Sequence, residues 1–229
     1  MKRFYKTASV IGDAAPFGVA LDGRPVRTPA RAALALPTRA LAQAIADEWN
    51  SQGEEVKPLS MPLTGLSNAA IDRVAPDTDA FADGLSVFAQ NELLAYRADA
   101  PSALVARQLA VWDPLLDWAR QRYDVDFTLV TGIIHRDQPP AMLARIAAAY
   151  RALDAFRLAA LNPVVTICGS AIIGLAVAEG IIDATAAFEA GHLDELWQAE
   201  QWGKDPLAEA AHAERQGNLG AAVRMLGFV

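Results

Sequence analysis

The chain has 229 residues, of which 53% are hydrophobic, with 15 Gly and 13 Pro. That composition excludes a disordered or collagen-like protein and is enough to bury a sizeable core. A net charge of −7 argues against nucleic acid or an anionic membrane as partner, and a single cysteine, Cys168, excludes a disulfide framework.

The first 37 residues read as β-rich. RFYKTASVI mixes aromatic and β-branched residues, and FGVALDGRPVRTP carries Asp22-Gly23 between two extended stretches. Asp-Gly favours the positive φ angles of a tight turn, so this segment predicts a hairpin. AALALP reads as one more strand, ended by Pro37. Thr38 is a good N-cap for a helix from Arg39 to about Gln52, with Leu41, Ala44, Ile45, Glu48 and Trp49 along one face. The stretch 53–62, with two prolines and two glutamates, is the expected boundary.

Beyond it the pattern is helical, over 63–73, 78–95, 101–123, 138–151, 153–161, 164–179, 184–202 and 206–225, with a short strand near Phe127–Val130. Pro114 is expected to kink the 101–123 segment or restart it with Asp113 as cap. Asp205-Pro206 supplies an N-cap and a first-turn proline to the last helix, and Gly180 and Gly203 suit left-handed helix ends. The apolar run Val164–Ala178 is too short to span a bilayer and reads as a buried helix, with Cys168 in the core and Ser170 as a packing residue. The fold class is therefore α+β. A small β-rich N-terminal domain with one helix, residues 1–56, precedes a larger all-helical domain, residues 57–229.

Charge is distributed unevenly. Residues 1–31 carry Lys2, Arg3, Lys6, Arg24, Arg27 and Arg31 against Asp13 and Asp22. Residues 183–214 carry Asp183, Glu189, Asp194, Glu195, Glu200, Asp205, Glu209 and Glu214 against Lys204. Such asymmetry either orients a partner or marks two solvated faces.

Catalytic signatures are mostly missing. The sequence has no G-x-x-x-x-G-K-[ST] phosphate loop, no G-x-G-x-x-G and no G-x-S-x-G elbow, and one Cys with three scattered His does not make a zinc site. His192 and Glu195 form H-x-x-E, but a di-iron bundle needs a second Glu-x-x-His pair, which the chain lacks.

The segment LDELWQAEQWGKD, 193–205, sets the main question. On a single 184–202 helix, Phe188, His192, Glu195, Ala199 and Trp202 fall on one stripe, Leu193 and Trp197 on a second, and Asp194 toward the polar side. Glu195 then lies on an apolar face with no Lys or Arg three or four residues away. A buried carboxylate pairs with a cation or shifts its pKa. Three readings stand open: an ion pair with a distant residue such as Arg97 or Arg107, a docking group for a basic residue of a partner, or a general acid working with His192.

The ordered series KRFYK (2–6), LDGRPVRTPA (21–30), LALPT (34–38), LAQAIADEWNSQ (41–52), MPLTGLSNAAIDRV (61–74), NELLAYRADAP (91–101), WDPLLDW (112–118), GSAIIGLAVAEG (169–180) and LDELWQAEQWGKD resembles the ATP12 chaperones. These are assembly factors for the F1 sector of ATP synthase. The resemblance covers nearly the whole chain, with Asn50 standing where an Asp is common. It implies a non-enzymatic, ATP-independent chaperone without cofactor or metal. Such a protein binds the newly made F1 α subunit until β replaces it. It also implies that Glu195, in the L-[DE]-E-x-[YW]-Q motif, and Trp49, in E-W-[DN]-x-Q, are sensitive positions, with Trp49 also open to a pure packing role. Partner-binding candidates are thus Glu195, Asp194, Trp202 and Trp49. A bacterial, cytoplasmic, monomeric protein without membrane insertion is expected, since no secretory signal is evident in MKRFYKTASVIGDAAP. Against this stand a helical interaction module with another partner, and a small-molecule enzyme using Glu195 and His192.

Overall fold

In the computed structural model the described residues are 1–132, 135–203 and 205–229. Lys204, the lone cation of the acidic stretch, lies outside them. The chain is α+β and packs as two compact units. Unit 1 comprises Met1–Thr78, Asp154–Ala160 and Arg224–Val229; unit 2 comprises Asp79–Leu153 and Leu161–Val223.

Unit 1 is built on a three-stranded antiparallel sheet of order β1 (Ala8–Ile11), β2 (Gly18–Leu21) and β3 (Arg24–Pro25). Ala8 pairs with Leu21 and Ile11 with Gly18. The Asp22-Gly23 turn takes φ of 47° and 80°, as the sequence predicts for the hairpin. AALALP contributes isolated bridges rather than a full strand, Phe17 with Leu36 and Arg27 with Ala33. Helix α1 (Arg39–Asn50) starts where expected, with the Thr38 hydroxyl accepting from Leu41 N at 3.1 Å. Leu41, Ile45, Val19 and Leu36 centre the core, which Phe156, Met225 and Phe228 complete from the later segments.

The E-W-N-S-Q stretch ties this unit together. Glu48 is buried, and its carboxylate accepts from Leu63 N at 2.7 Å and Thr64 N at 2.8 Å, capping helix α2 (Pro62–Ala69) from a distance. Asn50 both accepts from Ala8 N and donates to Ala8 O, each at 2.8 Å, so its amide closes part of the β1 edge. Gln52 accepts from Lys57 N at 2.8 Å.

Unit 2 holds α3 (Thr78–Ser86), less its first residue, and α4 (Ser102–Tyr123). It also holds α5 (Pro140–Arg151), most of α6 (Ala155–Cys168), α7 (Ala171–Ala178), α8 (Ala184–Gly191), α9 (Leu193–Trp202) and most of α10 (Pro206–Leu226). Two short strands, β4 (Tyr96–Arg97) and β5 (Val130–Thr131), pair in parallel. Its core gathers Trp112, Leu116, Ile146, Tyr150, Ile172 and Phe188.

Several helix boundaries differ from the sequence expectation: α3 stops at Ser86 and not at 95, and α6 runs unbroken through Pro163, where the sequence reading leaves a gap between 161 and 164. α4 runs unbroken through Pro114; Pro114 and Ala110 both face solvent, where water can satisfy the carbonyl that a proline frees, and Asp113 pairs instead with Arg97 at 2.7 Å. The apolar run 164–178 is two helices, not one. Gly169 turns at φ 64°, and Ser170 caps α7 by accepting from Ile173 N at 2.9 Å. The 184–202 helix is likewise two, divided at His192 (φ −117°, ψ 20°).

Candidate functional site

The break at His192 has a packing cause. A Cβ on Gly191 would sit 2.8 Å from Cys168 Cα, so α8 approaches the end of α6 as closely as glycine allows. With the chain so pinned, His192 leaves helical geometry and α9 begins anew. Asp194 and Glu195 then occupy its first turn, where the exposed N–H groups favour acidic side chains.

Restarting the helix changes what Glu195 faces. On α9, Leu193 is buried, whereas Glu195, Gln198 and Trp202 lie on the exposed side. Glu195 is therefore not a carboxylate on a buried apolar face: its side chain keeps 58% exposure. Neither sequence-suggested arginine pairs with it. Arg97 pairs with Asp113, and Arg107 grips Glu200 through two bonds of 2.8 and 2.7 Å. Its partners come from α10: His212 Nε2 donates at 3.0 Å and Arg215 stands at 3.5 Å. These two residues sit 17 and 20 positions away, beyond the reach of a spacing rule on one helix. The His212 hydrogen bond, helped by His192 and Arg215, holds the Glu195 carboxyl below the ordinary range.

The histidines form the inner wall. His192 is buried, stacks on Phe188 at 4.1 Å, and donates from Nδ1 to the Phe188 carbonyl at 3.1 Å. Burial keeps its pKa below the usual histidine value. The His212 ring stands edge-on to both, at 5.7 Å from Phe188 and 5.6 Å from His192. Leu93, Cys168, Gly169, His192, Glu195 and Arg215 help line an open cavity of about 430 Å³. Cys168 is a core thiol there, its pKa pushed up to about 12 by burial.

Sequence reasoning missed Glu92, which braces this cavity from behind. It is fully buried, bonds Ser170 Oγ, and accepts from Ile172 N at 3.2 Å and Leu94 N at 3.3 Å. Burial raises its pKa to about 7, against the lowering effect of Ser170 and the α7 N-terminal amides. Glu92 thus fixes Leu93 and the Cys168–Ser170 corner, both parts of the cavity wall. An acid at the head of NELLAYR in an otherwise apolar stretch was the available signal.

The other candidates spread out. Asp194 accepts from Gln108 Nε2 at 2.8 Å and anchors α9 to α4. Trp202 is 81% exposed and Leu207, shortly after it, 80% exposed, so Trp202 is a surface residue and not a packing one. Trp197 is half-buried, with the Arg107 guanidinium 6.0 Å from its ring. Trp49 belongs to unit 1, half-buried against Tyr5 at 5.6 Å, with its carbonyl accepting from Tyr5 Oη at 2.6 Å. Among the described residues no hydrogen bond joins His192 to Glu195, and no group of three or more His, Cys, Asp or Glu could hold a metal ion. No helix there is long and apolar enough to cross a membrane.

Residues 2–120 match the family model described as ATP12 chaperone protein. The chain belongs to the ATP12 chaperone family. Its fold matches that of Atp12 from Paracoccus denitrificans with a TM-score of 0.94 and 43% identity, covering 99% of this chain and 97% of that one. A protein from Agrobacterium tumefaciens matches with a TM-score of 0.93 and 43% identity, covering 99% and 85%. Among curated proteins, mitochondrial atp12 of Schizosaccharomyces pombe is 24% identical over 214 residues, 88% of this chain and 74% of that protein. This is a bacterial ATP12 family member, an assembly chaperone for F1 ATP synthase.

Proposed function

We propose that this ATP12 chaperone binds the unassembled F1 α subunit and covers the surface that β later occupies, acting without catalysis and as a cytoplasmic monomer. One observation carries the reading. The rim of unit 2 presents a large exposed indole, Trp202, and the exposed Leu207 on a helix pair that also displays the exposed carboxylate of Glu195. Bare aromatic surface beside an orientable charge is how interface anchors look before the partner arrives. Glu195 is positioned by His212 and Arg215 yet leaves more than half of its side chain to solvent, as suits a group that meets a partner's cation.

A catalytic use of the same residues has less support. His192 commits Nδ1 to a backbone carbonyl and is neutral, while Glu195 is held ionised, so the pair lacks a proton donor poised near neutrality. The test is Glu195→Lys. The variant is expected to keep its circular dichroism spectrum and melting temperature and to bind purified free α subunit about tenfold or more weakly. Undiminished binding by a well-folded variant would remove Glu195 from the interface.

A further inference from the structure

We propose that unit 1 carries a second recognition site, which takes an acidic, apolar peptide segment in the cavity lined by Phe4, Trp49, Arg24 and Arg27. The cavity holds about 490 Å³, and its lining includes the aromatic rings of Phe4, Tyr5 and Trp49 together with Arg24 and Arg27. Phe4 is 66% exposed, an unusual cost for an aromatic ring that has nothing to cover it.

Two arginines give this cavity its charge. Arg24 and Arg27 are exposed, and neither has a carboxylate partner among the described residues; Arg27 donates only to the Arg31 carbonyl, at 2.9 Å. Trp49 also lines the cavity, and its buried indole N–H has no hydrogen-bond partner. The acid in the lining, Asp22, is already occupied: it accepts from Lys6 N at 3.0 Å and Thr7 N at 2.9 Å. The cavity is therefore cationic, within a chain of net charge −7. A carboxylate is the group that pairs best with such guanidiniums.

The occupant also has an apolar part. Pro25 and Val26 line this cavity and, equally, a neighbouring one of about 220 Å³ whose other walls include Ile11, Phe17, Val19 and Leu34. That second hollow offers no charge. A peptide with an acid and an aliphatic side chain close together in sequence fills both, whereas a free inorganic anion leaves the apolar hollow and the aromatic wall empty. Such a segment belongs to the client polypeptide; its origin rests on the chaperone reading above, while the chemistry of the site does not.

The test titrates isotope-labelled full-length protein with a short acetylated and amidated peptide alternating Glu and Leu. The readout is the indole N–H resonance of Trp49, assigned by its loss in Trp49→Phe. The resonance is expected to move on saturation. Replacing every Glu of the peptide by Gln, or introducing Arg24→Gln with Arg27→Gln, is expected to weaken binding about tenfold with an unchanged melting temperature. A resonance that stays still, or a Gln peptide that binds as well, overturns the proposal. So does a resonance that moves on concentrating the protein alone, with dimers in sedimentation, because the occupant is then a second copy's acidic stretch. Because no α subunit is present, failure here leaves the Glu195 docking test standing, and failure of that test leaves this one standing.

Discussion

Glu195 on α9 accepts a hydrogen bond from His212 Nε2 on α10 at 3.0 Å, so the acid of the L-D-E-L-W motif is oriented by a neighbouring helix and not by its own. Glu195 keeps its charge at every physiological pH because its folded pKa lies below the unfolded value. That linkage is present above the unfolded pKa and lost as pH falls through the folded one. With the side chain 58% exposed, screening holds it under about 1 kcal/mol. His212→Ala is expected to loosen Glu195 and weaken α-subunit binding a few-fold by titration, and to lower the melting temperature through loss of a mostly buried ring packed against Phe188 and His192 rather than through the Glu195 linkage.

His192 carries the opposite kind of sensitivity. Burial depresses its pKa, so the unfolded chain binds more protons than the folded one below about pH 6.5. Stability from this residue is fully present above that pH and declines as pH falls toward the folded pKa. Melting curves between pH 5 and pH 7 are expected to show a shallower acid-side loss in His192→Asn than in the parent, since Asn preserves a donor near the Phe188 carbonyl but cannot charge.

Glu92 works in the other direction, and its sign differs from that of an ordinary carboxylate. Its folded pKa of about 7 exceeds the unfolded value, so the folded state binds the extra proton between the two. Stability falls as pH rises through that window, by on the order of 3 kcal/mol in total. Glu92→Gln keeps an acceptor for Ser170 and the α7 amides, and is expected to flatten the decline between pH 5 and pH 8 in denaturant titrations. Glu92→Ala orphans the buried hydroxyl and amides and is expected to destabilise by about 3 kcal/mol near pH 5, with the difference from the parent shrinking as pH rises toward 8.

Gly191→Ala places a methyl 2.8 Å from backbone as well as side-chain carbon of Cys168. The backbone half of that clash cannot be relieved by a rotamer change, so a loss of about 1–3 kcal/mol is expected by chemical denaturation. Combining it with Cys168→Ala should recover only part of the loss. Full recovery would mean that the sulfur, and not the approach of α8 to the end of α6, sets the position of His192.

What could be read in advance follows from the range of the forces involved. The Asp22-Gly23 hairpin, the Thr38 cap and the Asp205-Pro206 start are local devices, and each stands where its residues predict. The break at His192 arises from a contact between Gly191 and Cys168, 23 residues apart in sequence, and periodicity alone carried the helix straight through it. Gly191 followed by two acids did signal a new helix start. The misplacement of Glu195 on a buried face follows from that one missed boundary. Its true partners, His212 and Arg215, become neighbours only through tertiary packing. The capping roles of Glu48 and Glu92 were not legible for the same reason, because each carboxylate reaches the N-terminus of a helix distant in sequence. The family resemblance, by contrast, rested on strings such as LDGRPVRTP and EWNSQ, and the structure gives these physical content: Asp22, Glu48, Asn50 and Gln52 are each held by backbone bonds across unit 1.

The most direct test of the client reading is site-specific photocrosslinking, with a benzoylphenylalanine at position 202 and, as a control, at the exposed Ala144 of α5. The proposed function predicts that position 202 crosslinks to free F1 α subunit, that added β subunit suppresses the adduct, and that position 144 yields none. Equal crosslinking from both positions, or an adduct at 202 that persists when β is in excess, would contradict it.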